Sequence, residues 1–166
     1  MNTKVPFYNI LNMFLVGAIF IVGTLFIYSD FAVNLIKSYL FTKISAEMTA
    51  IITTFVFGIS YEVGYVINRI GSVVFEELLK KFNLVPYNDD YKMYNKAKKE
   101  YPVMDILSRE YASSRTNTVL FLIIALMAIL KKKCIIALVA AMCVVLFFLS
   151  CRKFAKKITI LLSGDK

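Results

Sequence analysis

Glu62 lies within a run, Thr49 to Ile67, that is otherwise apolar enough to cross a bilayer. An ionisable side chain at membrane depth costs roughly 2.5–3.5 kcal/mol on insertion scales, so it persists where it faces a partner, a cavity or a permeation path. Advancing 100° per residue along a helix here separates two polar stripes. Ala46, Thr49, Thr53, Ser60, Gly64 and Gly71 make a small, hydroxylated stripe; Glu47, Gly58, Glu62, Tyr65 and Arg69 make an ionisable one, nearly opposite. Neither suits lipid, so one must pack on neighbouring helices and the other must face a cavity or another subunit. The spacing therefore marks Glu62 for an ion pathway, with Thr53, Ser60 and Tyr65 as further lining residues. A static salt bridge from Glu62 to Arg115 or Arg69 is the structural alternative.

A second kind of chemistry is anion binding. The net charge is +9. Arg69, Lys80, Lys81, Arg109 and Arg115 flank the second and third apolar runs, and Tyr87, Tyr91, Tyr94, Tyr101 and Tyr111 are interleaved with further lysines. Bases and aromatics in this mixture suit a nucleotide or a single-stranded oligonucleotide, although membrane topology alone places many bases on one side. Enzymatic readings lack their parts. Histidine is absent, which removes the commonest catalytic base and transition-metal ligand. Cys134, Cys143 and Cys151 form no CxxC, and Glu76–Glu77 and Asp89–Asp90 are adjacent pairs that splay apart as solvated charges. There is no P-loop, GxSxG or GxGxxG. No enzyme, cofactor or metal is expected.

The elements that must position these residues are helices in a bilayer. Hydrophobic residues make up 59% of the 166, above the roughly 45–50% of soluble domains. Four apolar runs stand out: Ile10–Tyr28, Thr49–Ile67, Thr116–Leu130 and Cys134–Cys151, of 19, 19, 15 and 18 residues. A spanning helix needs about 20, so the short third run must borrow Ala112 to Ser114 and let Lys131 to Lys133 snorkel. The first run is too long for a signal h-region and lacks a small-x-small cleavage site, so it reads as a retained helix. With four spans, one face carries 15 Lys and Arg and the other 5. The positive-inside rule then puts both termini and the central loop in the cytoplasm.

The expected fold is an all-α membrane protein of four transmembrane helices, oligomeric, with a small helical subdomain between the second and third. Residues 1–68 hold the first two spans and an interfacial helix over Phe31–Lys43; 69–115 form the basic cytoplasmic subdomain. Residues 116–151 form a transmembrane hairpin and 152–166 a basic tail. In the subdomain, Val73, Val74, Phe75, Leu78, Leu79 and Phe82 read as an apolar face continuing the second span to Asn83–Pro86, with Glu76, Glu77, Lys80 and Lys81 opposite. Some 45 residues cannot carry a core unless neighbours stack on them.

The blocks Ile59-Ser60-Tyr61-Glu62-Val63-Gly64, Asn68-Arg69-Ile70-Gly71 and Ser108-Arg109-Glu110-Tyr111, with this architecture, resemble small bacterial membrane proteins that act as effectors of anti-phage defence. Among these the chain looks like the channel subunit of a Hailong-type system. The resemblance implies an inner-membrane channel, and a partner nucleotidyltransferase whose DNA oligomer keeps it shut. The function expected is a homo-oligomeric ion channel gated from the cytoplasm by an anionic ligand. A small proton-coupled transporter using Glu62 and a non-conducting anchor for a cytoplasmic partner are the alternatives.

Overall fold

The computed structural model describes residues 7–28, 34, 45–86 and 91–163. The expected interfacial helix over Phe31–Lys43 lies outside them apart from Asn34, and residues 87–90 lie outside them altogether. The described residues are helical, with no strand among them. We number the helices α1 (Phe7–Ile27), α2 (Ala46–Lys81, interrupted by a π-turn at Gly71–Phe75), α3 (Tyr91–Glu100), α4 (Val103–Leu130) and α5 (Cys134–Ser163). The chain is a multi-pass membrane protein by this measure: α1, α2, α4 and α5 are each long and apolar enough to cross a bilayer.

Helix α4 is the centre of the bundle. Half of its most apolar stretch is buried, 50% against 17% or less in the other three. α5 packs along α4 and α1 along α2, and the two pairs meet where α1 and α2 touch α4. Val16, Ile27, Ile67, Val119, Leu120, Ile124, Ala128 and Ala140 form the main core. Apolar side chains elsewhere on α1, α2 and α5 point outward, as they must where lipid is the solvent.

The α1–α2 contact is made backbone to backbone. A Cβ on Gly17 would lie 1.7 Å from the Ser60 carbonyl oxygen, and one on Gly64 would lie 1.8 Å from that of Met13. Only glycine permits this approach, which compensates for the absence of a hydrophobic driving force between helices in lipid. Ser60 and Gly64 are thus buried in a helix crossing. Gly17 is the midpoint of α1, so the crossing, with Glu62 beside it, lies near mid-depth of the spanning region.

Three helices outrun the membrane at the same end. At about 1.5 Å per residue α2, α4 and α5 measure about 54, 42 and 45 Å, against a hydrocarbon layer of about 30 Å. The overhang is at the end where α1 begins, which holds Arg69, Lys80, Lys81, Arg109 and Arg115. We call it the basic end. There the basic tail expected over 152–166 is helical to Ser163 as a continuation of α5. Cys151 and Ala155 of α5 pack with Leu79 and Val85, and Leu162 packs with Ala97 of α3 and Met104 of α4. The overhang of α5 therefore supplies the stacking neighbours that residues 69–115 lack on their own.

Two helix ends share one termination chemistry. After α2 the N–H of Leu84 donates to Leu79 O and that of Asn83 to Lys80 O; after α4 Lys133 and Lys132 donate to Ala128 O and Ile129 O. These are Schellman closures, and each places its penultimate residue in the left-handed region, Asn83 at φ 50° and Lys132 at φ 55°. The α2 terminus falls where the sequence led us to expect it.

Candidate functional site on the outer face of the second spanning helix

The two stripes of α2 separate from Ser60 onward. Ser60, Gly64 and Gly71 are buried, whereas Ala46, Thr49 and Thr53 of the same stripe are exposed, as are Glu47, Gly58, Glu62 and Arg69. Ser60, 2% exposed, is therefore no lining residue: its backbone is the seat of Gly17. Thr53 is exposed, but its hydroxyl donates to Thr49 O at 2.8 Å, which satisfies it within the helix.

Glu62 makes no hydrogen bond or ion pair with any described residue. It lines a shallow hollow of about 370 Å³ with Phe20, Val63, Val66, Ile67, Ile70 and Ile123, all apolar. Neither expected salt bridge forms. Arg69 turns to Tyr65, donating from Nε and Nη2 to the phenol oxygen at 2.9 and 2.7 Å. Arg115 is committed to Glu76. A carboxylate at mid-depth with no neutralising neighbour among the described residues needs water, an ion or another charged group to satisfy it.

The Arg115–Glu76 pair corrects two expectations. Arg115 was expected to meet a ligand and Glu76 to be solvated; the side chains are 10% and 12% exposed and bonded to each other. The reason is the π-turn. At about 4.4 residues per turn, its five residues carry Glu76 to about 50° from Gly71, where continuous α-helix would put it about 140° away. Gly71 packs on Arg115 and Thr116, so the turn brings Glu76 to the same neighbour. The same phase change puts Val73, Val74, Leu78 and Phe82 outward and exposed, not against the subdomain core. They continue the Glu62–Val66–Ile70 line beyond the bilayer. Sequence periodicity stepped at a constant 100° has no means of registering this; the Gly71 followed by paired valines is the only local hint.

A polar belt joins the helices on the basic side of the crossing. Thr116 donates to Asn68 Oδ1 at 2.8 Å, Ser113 to Asn12 Oδ1 at 3.3 Å, and Ser114 to Ser150 Oγ at 3.2 Å. These bonds tie α4 to α2, α1 and α5 in turn. Such interhelical hydrogen bonds contribute about 0.6–2 kcal/mol each in bilayers.

The remaining predicted ligand residues are not brought to one place. Lys81 is exposed at the far end of α2, Lys80 bonds Glu77 at 3.4 Å, and Arg109 lies on α4 with its guanidinium 5.6 Å over the Tyr8 ring. Arg109 opens instead into a polar cleft of about 500 Å³ between α1 and the α3–α4 pair, a feature the sequence reading missed. Its residues come from four segments with no shared motif. Comparison with protein-family models, with curated proteins and with solved structures gave no match.

Proposed function

We propose that the protein is a homo-oligomeric ion channel of a bacterial inner membrane. The observation that carries this reading is the outward Glu62 near mid-depth of the spanning region, which has no partner among the described residues. A ring of such carboxylates contributed by several copies would satisfy them with water and permeant ions, and would favour cations. The stripe Val66, Ile70, Val73, Val74, Leu78 and Phe82 supports assembly. Its lower part extends past the bilayer, where lipid cannot cover apolar side chains and another copy can. Lys131–Lys133 lie opposite the larger basic cluster, and that asymmetry supports a topology with both termini in the cytoplasm. Gating by an anionic ligand acts from the basic end, with Arg109 as the arginine still open to one. The resemblance in the Glu62 and Arg69 blocks supplies the biological setting, an effector of anti-phage defence.

Planar-bilayer recording of wild type beside Glu62→Gln tests this, before and after adding short oligonucleotides to the basic side. Discrete steps whose cation preference falls in the variant are expected. Unaltered conductance and selectivity in Glu62→Gln would remove Glu62 from the path.

The apolar lining around Glu62 favours one other reading, a proton-coupled transporter in which an isolated carboxylate alternates between a proton and a cationic substrate. That reading requires saturable, pH-dependent flux without single-channel steps.

A further inference from the structure

The cleft at the basic end has an unequal stock of hydrogen-bonding groups. Most of its acceptors are used: Asn12 Oδ1 receives Ser113, Asn68 Oδ1 receives Thr116, and Asp105 binds Lys98 at 2.8 Å while its carbonyl receives Arg109 Nε at 3.2 Å. Several of its donors are not. Among the described residues the amide nitrogens of Asn12 and Asn68 and the two terminal nitrogens of Arg109 donate to nothing, and the Asn9 amide makes no bond at all. The lining carries Lys98 and Arg109 against Asp105, a surplus of one positive charge. A cavity of this volume lined by idle donors and one unmatched cation complements a compact group rich in acceptors and bearing negative charge.

Depth places the opening near the membrane interface. Tyr8 and Asn12 are nine and five residues from Gly17. At about 1.5 Å per residue the cleft spans about 7–14 Å from mid-depth, and so opens where the hydrocarbon gives way to head groups at about 15 Å. Tyr8 against Arg109 is the aromatic and basic pairing that interfaces favour.

We propose that this cleft is a phosphate-ester site, with Arg109 bonding the anionic oxygens and the amides of Asn9, Asn12 and Asn68 donating around them. A lipid head group and a soluble phosphate ester present the same oxygens, and both reach an opening at this depth. The site deepens the channel reading by giving its ligand a class and a place, but it requires neither a pore nor Glu62.

The test is calorimetric titration of the full-length protein in neutral detergent with two matched pairs. These are dioctanoyl phosphatidylglycerol against dioctanoylglycerol, and adenosine monophosphate against adenosine. At least one phosphate-bearing member should bind about tenfold more tightly than its phosphate-free match, since hydrogen bonds to a charged group are the strong ones. Arg109→Gln should abolish that difference and Asn9→Ala should reduce it a few-fold. The second variant removes an amide that bonds no described residue, so it tests the site without breaking a known contact of the fold. Lys156→Gln, an exposed lysine on α5, should leave it unchanged. A response in the lipid pair alone assigns the membrane source, and one in the nucleotide pair alone the soluble source; either upholds the site. No difference within either pair, or equal effects of Arg109→Gln and Lys156→Gln, overturns it. Binding without current sinks the channel reading only, and current without phosphate-dependent binding sinks the site only.

Discussion

At the scale of single residues, two glycines on one helix have opposite roles, and a methyl group distinguishes them. Gly64 sits under Met13 O, whereas a Cβ on Gly58 meets nothing within 4 Å. Gly64→Ala should therefore destabilise the protein by about 3 kcal/mol through overpacking against backbone, and Gly58→Ala should stabilise it by about 0.5–1 kcal/mol through helix propensity. Thermal unfolding in detergent reads both, and a harmless Gly64→Ala would mean that α1 and α2 do not cross there. The Arg115–Glu76 pair makes a second residue-scale prediction. Removing one partner, as in Glu76→Gln, leaves a buried charge and should cost about 3–5 kcal/mol, while Glu76→Leu with Arg115→Met should recover most of the loss. A double-mutant cycle measures the coupling; additive single effects would show that the two side chains are not a pair.

At the scale of elements, the π-turn is the feature that changes what the other residues do. It is equivalent to an α-helix carrying one extra residue, so deleting the exposed Val73 should convert Gly71–Phe75 to α-helix and leave Glu76 within about 40° of the Gly71 face. That deletion should cost under about 1 kcal/mol. Deleting Val66 instead rotates everything after it by about 100°, setting the Gly64 crossing against the Arg115 pair, and should unfold the bundle. Circular dichroism with thermal unfolding separates the two outcomes. The turn between α4 and α5 is suboptimal in another way. Lys132 occupies a left-handed position that glycine holds without steric cost, and Lys132→Gly should raise stability by about 0.5–1 kcal/mol, read as a higher unfolding midpoint.

At the scale of the whole molecule, the proposed assembly would use the outward face of α2. An unbroken outward line runs from Glu62 through Val74 to Phe82, and its membrane and aqueous portions together suit a second copy better than lipid or water alone. In a Cys134→Ser background, Val74→Cys should crosslink into dimers on oxidation in membranes, and Val139→Cys, on the exposed face of α5, should not. Non-reducing electrophoresis gives the answer; crosslinking at 139 and none at 74 would move the interface to the other side of the bundle.

How much of this was legible in the chain depends on the range of the interaction involved. Four apolar runs long enough to cross a bilayer determined the spanning helices, because the transfer free energy of a helix depends on its own composition. The division of α2 into a small stripe and an ionisable stripe was equally local, as was its end near Asn83, since both follow from 3.6 residues per turn and a left-handed asparagine. Which stripe faces inward, by contrast, was decided by Gly17 arriving opposite Gly64. The fate of Glu76 and Arg115 was decided by a π-turn that shifts phase by about 90°, a distortion that forms because the buried pair and the Gly71 contact repay it. Likewise the basic run at 152–157 reads as a lipid-facing tail in isolation; Ala97 and Met104 make the helix that continues past it part of a core. The cleft was the least legible of all, because its lining residues lie on α1, α2, α3 and α4 and share a site only after those helices have packed.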